Sequence, residues 1–100
     1  MIKNGTRLQS QVCDTQVIVV RASEGLDDLR AGGAPLIPVG DTPDAGLTLD
    51  PALSDGNLMG KRYVDDSGAE ILVTKAGAGT LSIGSTPLAI KEAKPLPASD

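Results

Sequence analysis

Histidine, phenylalanine and tryptophan are absent from this 100-residue sequence, and Tyr63 is its only aromatic residue. Without histidine, the chain lacks the commonest general base and the commonest metal ligand. Serine triads, zincin motifs and most zinc sites are thereby excluded. The interior must be built from aliphatic side chains, which each bury less area than an aromatic ring does. We therefore expect modest stability for an isolated monomer, or stabilisation by a partner.

Cysteine and basic clusters are also scarce. Cys13 is the only cysteine and cannot form an internal disulfide, and nine basic against thirteen acidic residues give a net charge of −4. Since groups that neutralise phosphates or stack on bases are few, we do not expect a nucleic-acid partner. No apolar run approaches the roughly 20 residues of a membrane span, and the polar start MIKNGTRLQSQ does not resemble a signal peptide. These features favour a cytoplasmic protein that does not bind membranes.

The stretch 61–91 carries the clearest pattern in the chain, with four short apolar runs separated by turn residues. The turns are Asp66-Ser67-Gly68, Gly77-Ala78-Gly79 and Gly84-Ser85-Thr86-Pro87. Leucine and isoleucine alternate with polar or small residues in the last two runs, which is typical of strands with one apolar face. This spacing predicts an antiparallel meander of up to four strands.

The first half adds further strand signals. The VIVV run within 15–21 predicts a central strand covered on both faces, since consecutive β-branched residues disfavour a helix. Residues 6–12 carry a weaker strand pattern. Residues 23–30 predict a short helical turn, with Ser23 as N-cap and Gly32 as terminator, or else a loop leading into an edge strand. The two prolines in 35–39 restrict that segment to an edge strand or extended loop.

Residues 40–60 are rich in glycine, proline and aspartate, and we expect a long ordered loop that buries its leucines under the sheet. Asp50 followed by Pro51 predicts one helical turn inside this loop. Residues 1–5 and 92–100 are expected to be extended or flexible ends, and no internal repeat of useful length is evident. The predicted fold is a single domain, mostly β: a small antiparallel meander or partly closed barrel with one or two short helical turns.

Cys13 precedes Asp14, and no basic residue adjoins it in sequence to lower its pKa. We expect it to be a small structural residue at a strand end. The run Ala31-Gly32-Gly33-Ala34-Pro35 resembles the knuckle turn of zinc-ribbon and rubredoxin-like modules. In those modules a cysteine precedes the glycines, whereas Ala31 stands here and the second cysteine pair is missing. The resemblance implies at best a domain without the metal. Because the available ligands are one thiolate and scattered carboxylates, we predict no metal and no cofactor.

The run Lys75-Ala76-Gly77-Ala78-Gly79-Thr80 invites comparison with a phosphate-binding loop, since glycine loops can direct backbone N–H groups at anions. A phosphate-binding loop would need a Gly-Lys-Ser/Thr end that opens a helix, whereas a strand pattern follows here. The segment from Ile71 to Leu88 resembles the hairpin of cupin barrels, in which a Gly-x-Gly-x-Leu-x-Ile-Gly run crosses the sheet. That resemblance implies a partial barrel without cupin metal chemistry, because the histidines are missing. The carboxylates of the chain all lie in predicted turns, where turn and cap chemistry is the ordinary role of aspartate.

Two functions from different classes follow. The first is a non-catalytic protein-interaction module or accessory subunit, with a protein partner or a second copy covering the strand that contains Thr86, Leu88 and Ile90. The reason is that Pro35 and Pro38 block one candidate edge, while this strand has no guard beyond Lys91. The alternative is a small-molecule binder or minor enzyme, cupin-like and without metal, that uses Cys13, Tyr63 and Asp65.

Overall fold

The computed structural model describes residues 2–91, and its regular elements are short. The strands are, in chain order, β1 (Arg7–Gln9), β2 (Gln16–Arg21), β3 (Leu29–Ala31), β4 (Ala34–Pro35), β5 (Ile37–Pro38), β6 (Arg62–Val64), β7 (Glu70–Lys75), β8 (Leu81–Ile83), β9 (Thr86–Pro87) and β10 (Ala89–Ile90). Two 3₁₀ turns accompany them, η1 (Glu24–Asp28) and η2 (Pro51–Leu53).

The strands form two antiparallel sheets. The large sheet has six strands in the order β10-β6-β7-β2-β1-β5, and the small sheet has four in the order β4-β3-β8-β9. Neither sheet closes into a barrel within residues 2–91. The prediction of a small, mostly β antiparallel domain with one or two helical turns and a long loop is therefore confirmed.

The four strands predicted in 61–91 do not follow one another in a single sheet. β6 and β7 form a hairpin in the large sheet, but β8 pairs with β3 in the small sheet. The glycines between β7 and β8 serve close passage, because a Cβ on Gly77 would lie 2.6 Å from the Thr15 nitrogen and one on Gly79 would lie 2.7 Å from the Gly32 nitrogen. The segment that resembles a cupin hairpin is thus a crossover between sheets.

The core lies between the inner faces of the two sheets. β2 and β7 form its centre, with Val17 opposite Val73 and Val19 opposite Ile71. These four side chains are at most 2% exposed. The central position predicted for the VIVV run is correct, but only one face is fully covered, and Val20 remains 37% exposed. The strand therefore follows the alternation of a sheet with one buried face.

The two halves of the chain repeat one arrangement about an approximate two-fold axis. Strands β1 to β5 of the first half correspond in order and pairing to β6 to β10 of the second, and the symmetric pairs β2–β7 and β3–β8 join the halves. Backbone hydrogen bonds repeat as well. Val39 N–H donates to Arg7 O as Lys91 N–H does to Arg62 O, and Leu36 N–H donates to Leu29 O as Leu88 N–H does to Leu81 O. The absence of a useful repeat, expected from the sequence, is wrong at the level of topology.

The proline pattern at the sheet edges agrees with the sequence prediction. β4 and β5, which contain Pro35 and Pro38, form one edge of each sheet, and β9 and β10 form the opposite edges. Pro38 pairs with Leu8 and Ile90 pairs with Tyr63 in corresponding registers. Proline therefore occupies one edge position whose two-fold counterpart is isoleucine.

Both predicted helical turns are present, but η1 lacks the predicted cap and terminator. Asp50 caps η2 by accepting the Ala52 N–H at 2.9 Å, and Pro51 is the first residue of the turn, as predicted. Ser23 precedes η1 but makes no capping hydrogen bond, and its hydroxyl contacts that of Ser67 instead. Gly32 is not the terminator of η1. It lies in the β3–β4 turn with a φ of 62°, a conformation that glycine adopts without steric cost.

The loop 40–60 joins the two halves and packs over the β3–β4 turn rather than under a sheet. Leu49 and Leu53 lie against Gly32 and Gly33. Most of the other apolar residues of the loop remain on the surface, with Leu47, Leu58 and Met59 exposed by 36%, 53% and 69%. The expectation that the loop buries its leucines holds only in part, because the turn offers a smaller apolar surface than a sheet face would.

Candidate functional site

A concave surface of about 440 Å³, which we call the Ile90 cleft, lies where the edge of the large sheet meets the small sheet and the end of the long loop. It is lined by Asp55, Gly56, Asn57, Leu58, Tyr63, Thr80, Leu81, Pro87, Leu88 and Ile90. Its floor is mainly apolar, and among residues 2–91 Asp55 is the only charged residue that lines it. Leu58 and Ile90 are 53% and 38% exposed, so the cleft presents apolar side chains to the outside.

Tyr63 joins the floor of the cleft to its wall. Its ring is buried to 7% exposure on the inner face of β6, and its hydroxyl accepts the Leu58 N–H at 2.9 Å. Ile90 lies directly opposite Tyr63 on the neighbouring strand. The single aromatic residue of the chain therefore has a structural partner for its polar end, as buried tyrosines usually do.

Asn57 holds the loop wall in place. Its side-chain amide donates to Thr15 Oγ1 at 2.8 Å and to Gly79 O at 2.9 Å, and its Oδ1 accepts the Gly77 N–H at 3.2 Å. The side chain is buried, with the whole residue 9% exposed. These bonds connect the loop to a turn of the first half and to the crossover of the second, so the cleft wall is part of the rigid body of the domain.

The outer edge of β10 borders the cleft. Lys91 N–H donates to Arg62 O at 2.8 Å, which makes that pair a hydrogen-bonded one in the ladder. Because bonded and non-bonded pairs alternate along an antiparallel ladder, the intervening residue Ile90 directs its own N–H and C=O away from β6. Within residues 2–91 no strand pairs with this edge.

Glu70 fastens β10 to the sheet on the opposite, outer face. Its carboxylate accepts from Lys91 Nζ at 2.9 Å and from Arg62 Nη1 at 3.1 Å. The hydrogen bond and charge of Lys91, together with the charge of Arg62, outweigh burial and lower the pKa of the Glu70 carboxyl. Both cationic side chains are more than half exposed, so the two ion pairs are open to screening by salt.

Cys13 lies in a separate surface cleft of about 230 Å³. Its sulfur is 3.2 Å from Ser10 Oγ and 3.1 Å from Thr15 Oγ1. Partial burial opposes ionisation, but hydrogen bonds with the Ser10 and Thr15 side chains and with the Thr15 and Gly79 backbone outweigh it, so the pKa of the Cys13 thiol is lowered. No basic neighbour is involved: the partners that lower this pKa are hydroxyl and backbone groups that the fold brings to the sulfur.

The run that resembles a zinc knuckle, Ala31 to Pro35, forms a tight turn close to Cys13. Gly79 lies between them, since a Cβ built on it would meet the Gly32 nitrogen, Ala31 carbonyl carbon and Cys13 sulfur within 3.1 Å. Cys13 is the only thiol beside this turn. Within residues 2–91 no group of three histidine, cysteine or acidic side chains could hold a metal ion.

Asp65 serves the β6–β7 turn. Its carboxylate accepts the Ala69 N–H at 2.9 Å and the Ser67 hydroxyl at 2.8–2.9 Å. It borders a second surface cleft, of about 270 Å³, together with Thr86. Cys13, Tyr63 and Asp65 therefore lie in three different clefts, and the structure does not bring them together.

The three residues predicted at an interface are grouped more closely. Leu88 and Ile90 line the Ile90 cleft, and Thr86 lies on the adjoining edge strand of the small sheet. Sequence reasoning missed Leu58, Asn57 and Glu70 as partners of this surface. The sequence showed only that Asn57 and Leu58 lie among turn residues and that Glu70 adjoins an apolar run. Neither position indicates a contact between distant parts of the chain.

No helix within residues 2–91 has the length and apolar character needed to cross a membrane. No family model matches the chain, and neither does any curated protein or solved structure at a significant level.

Proposed function

We propose that this protein is a non-catalytic interaction module, a small accessory subunit that binds another protein chain through the Ile90 cleft and the free edge of β10. The observation that carries the proposal is the position of an apolar concavity directly beside a strand edge with which no strand of residues 2–91 pairs. In strand addition, main-chain hydrogen bonds to such an edge supply affinity, and neighbouring pockets for side chains supply specificity.

The surface chemistry supports binding of an apolar partner segment. Leu58 and Ile90 lie exposed at the cleft, and exposed apolar surface rimmed by polar groups is typical of protein contact sites. Asn57 and Tyr63 hold the cleft wall by hydrogen bonds, so little ordering is required when a partner binds.

The small-molecule alternative has less support. The volume of the Ile90 cleft falls within the range of ligand sites. However, Cys13 and Asp65 lie outside it, and the polar groups of Asn57 and Tyr63 are already engaged with the protein itself. A binder that uses Cys13, Tyr63 and Asp65 together would need one site, whereas these residues line three separate clefts.

The experiment is affinity capture from the native host with mass spectrometry, using the wild type, Leu58→Asp and Val20→Asp. Leu58 lies on the cleft, whereas Val20 is exposed on the central strand of the large sheet, so the two variants carry the same charge at different sites. We expect a partner that is captured by the wild type and Val20→Asp and lost with Leu58→Asp. Binding of the purified partner, measured by calorimetry, should show the same order. Equal binding by both variants would refute the assignment of this surface.

A further inference from the structure

The two-fold repeat makes the edges of the large sheet directly comparable, and they differ in the residue whose backbone faces outward. Pro38 in β5 and Ile90 in β10 occupy corresponding sites, each flanked by the next residue's N–H bond to an inner strand. Both residues point their backbone outward. Proline has no N–H to offer there, whereas isoleucine has one. Within residues 2–91, one edge of the sheet is therefore closed to strand addition and the other is open.

The open edge is complementary to itself. In an antiparallel pair about a two-fold axis, a residue can exchange both of its backbone hydrogen bonds with the same residue of a second copy. Ile90 is the residue of β10 that faces outward, so Ile90 of each copy would donate to and accept from Ile90 of the other. In this register Lys91 faces Ala89 of the second copy, and no like charges stand directly opposite one another.

From these observations, and resting on the proposed function, we propose that the partner at this surface is a second copy of the chain. Two β10 strands pair antiparallel at Ile90 into a continuous twelve-stranded sheet, twice the six strands of one copy. The pairing brings the exposed side chain of Ile90 beside its counterpart at the mouth of the cleft, where Leu58 also lies.

Pro38 limits this assembly to a dimer. A chain with two open edges could add copies at both ends and form filaments, as unprotected edge strands do. With proline on β5, an incoming strand finds no donor at the position that β10 uses. Each chain already contains a symmetric strand pairing of this kind, because β2 and β7 join its two related halves by antiparallel pairing.

The test measures mass by sedimentation equilibrium from micromolar to millimolar concentration for three chains. The wild type should approach twice the monomer mass. Ile90→Pro removes the outward N–H from β10, as Pro38 does in β5, and should stay at the monomer mass with an unchanged far-ultraviolet circular dichroism spectrum. Pro38→Ile gives β5 an outward N–H and should form species larger than a dimer. Should Ile90→Pro fail to fold, Ile90→Lys provides the second disrupting variant, because an edge lysine opposes strand pairing.

Amide hydrogen exchange locates the contact. The Ile90 N–H should become protected as the wild type dimerises, whereas the Lys91 N–H, bonded within the chain, should be protected in both states. A wild type that remains monomeric at millimolar concentration would refute the dimer, and so would a dimer that persists in both Ile90 variants. Neither result would affect a different partner captured through Leu58, so the two proposals fail separately.

Discussion

Replacing Asn57 by alanine tests whether the long loop and both halves are held together by one buried amide. The change removes three hydrogen bonds, of 2.8, 2.9 and 3.2 Å, at a site that is 9% exposed. With a net value of about 1 kcal/mol for each bond, we expect a loss of about 2–4 kcal/mol in the free energy of unfolding. In a domain of this size, that corresponds to a fall in melting temperature of about 4–8 °C for each kcal/mol.

Urea unfolding followed by far-ultraviolet circular dichroism suits this chain, since it has no tryptophan to report fluorescence. Asn57→Asp is the matched control. It keeps an acceptor for the Gly77 N–H but places a carboxylate oxygen against Gly79 O, so it should not restore stability. A double-mutant cycle with Thr15→Val should give a coupling energy of about 0.5–1.5 kcal/mol. If Asn57→Ala loses less than about 0.5 kcal/mol, the loop is held by its other contacts and the reasoning is wrong.

Two further predictions concern titration. The lowered pKa of Glu70 means that its ion pairs stabilise the folded state fully above the ordinary carboxyl pKa of about 4.3, and that this contribution disappears as the pH falls through the lower folded-state value. Glu70→Gln should therefore cost about 1 kcal/mol at neutral pH, with the difference from wild type vanishing near pH 2; a constant difference in urea unfolding at both pH values would contradict this. For Cys13, the pH midpoint of iodoacetamide alkylation should lie below the free-thiol value of about 8.5. Thr15→Val should raise that midpoint while Thr15→Ser, which keeps the hydroxyl, should leave it unchanged; equal midpoints for all three chains would rule out the hydroxyl as the cause.

Much of the local structure could be predicted because it depends on neighbours in sequence. The η2 turn follows from Asp50 and Pro51, whose capping oxygen and fixed φ act within one turn. Pro35 and Pro38 could be assigned to a sheet edge because a residue without N–H cannot join an inner ladder. The position of Ile90 on the opposite edge followed from the same argument, but the single strand predicted over 86–91 is wrong, since β9 and β10 lie in different sheets with Leu88 between them.

The two-fold repeat left a trace in the sequence that could have been found. Leu29, Gly32, Pro35 and Leu36 recur with the same spacing as Leu81, Gly84, Pro87 and Leu88. Many other corresponding positions differ, as at Pro38 and Ile90, because a sheet residue needs only the right size and polarity for its face. Topology is therefore repeated where sequence identity is low.

The sequence by itself determined which segments are extended, where the chain turns and which edge is closed by proline, because these depend on local conformational preference and periodicity. Only the tertiary structure decided that β7 pairs with β2 and that β8 crosses to the small sheet. The glycines at 77 and 79 are equally compatible with a hairpin turn and with close passage of two backbones, and packing alone distinguishes them. The setting of Cys13 and the Ile90 cleft followed from that choice, since both are built from residues far apart in the chain that meet only when the two sheets cover each other's apolar faces.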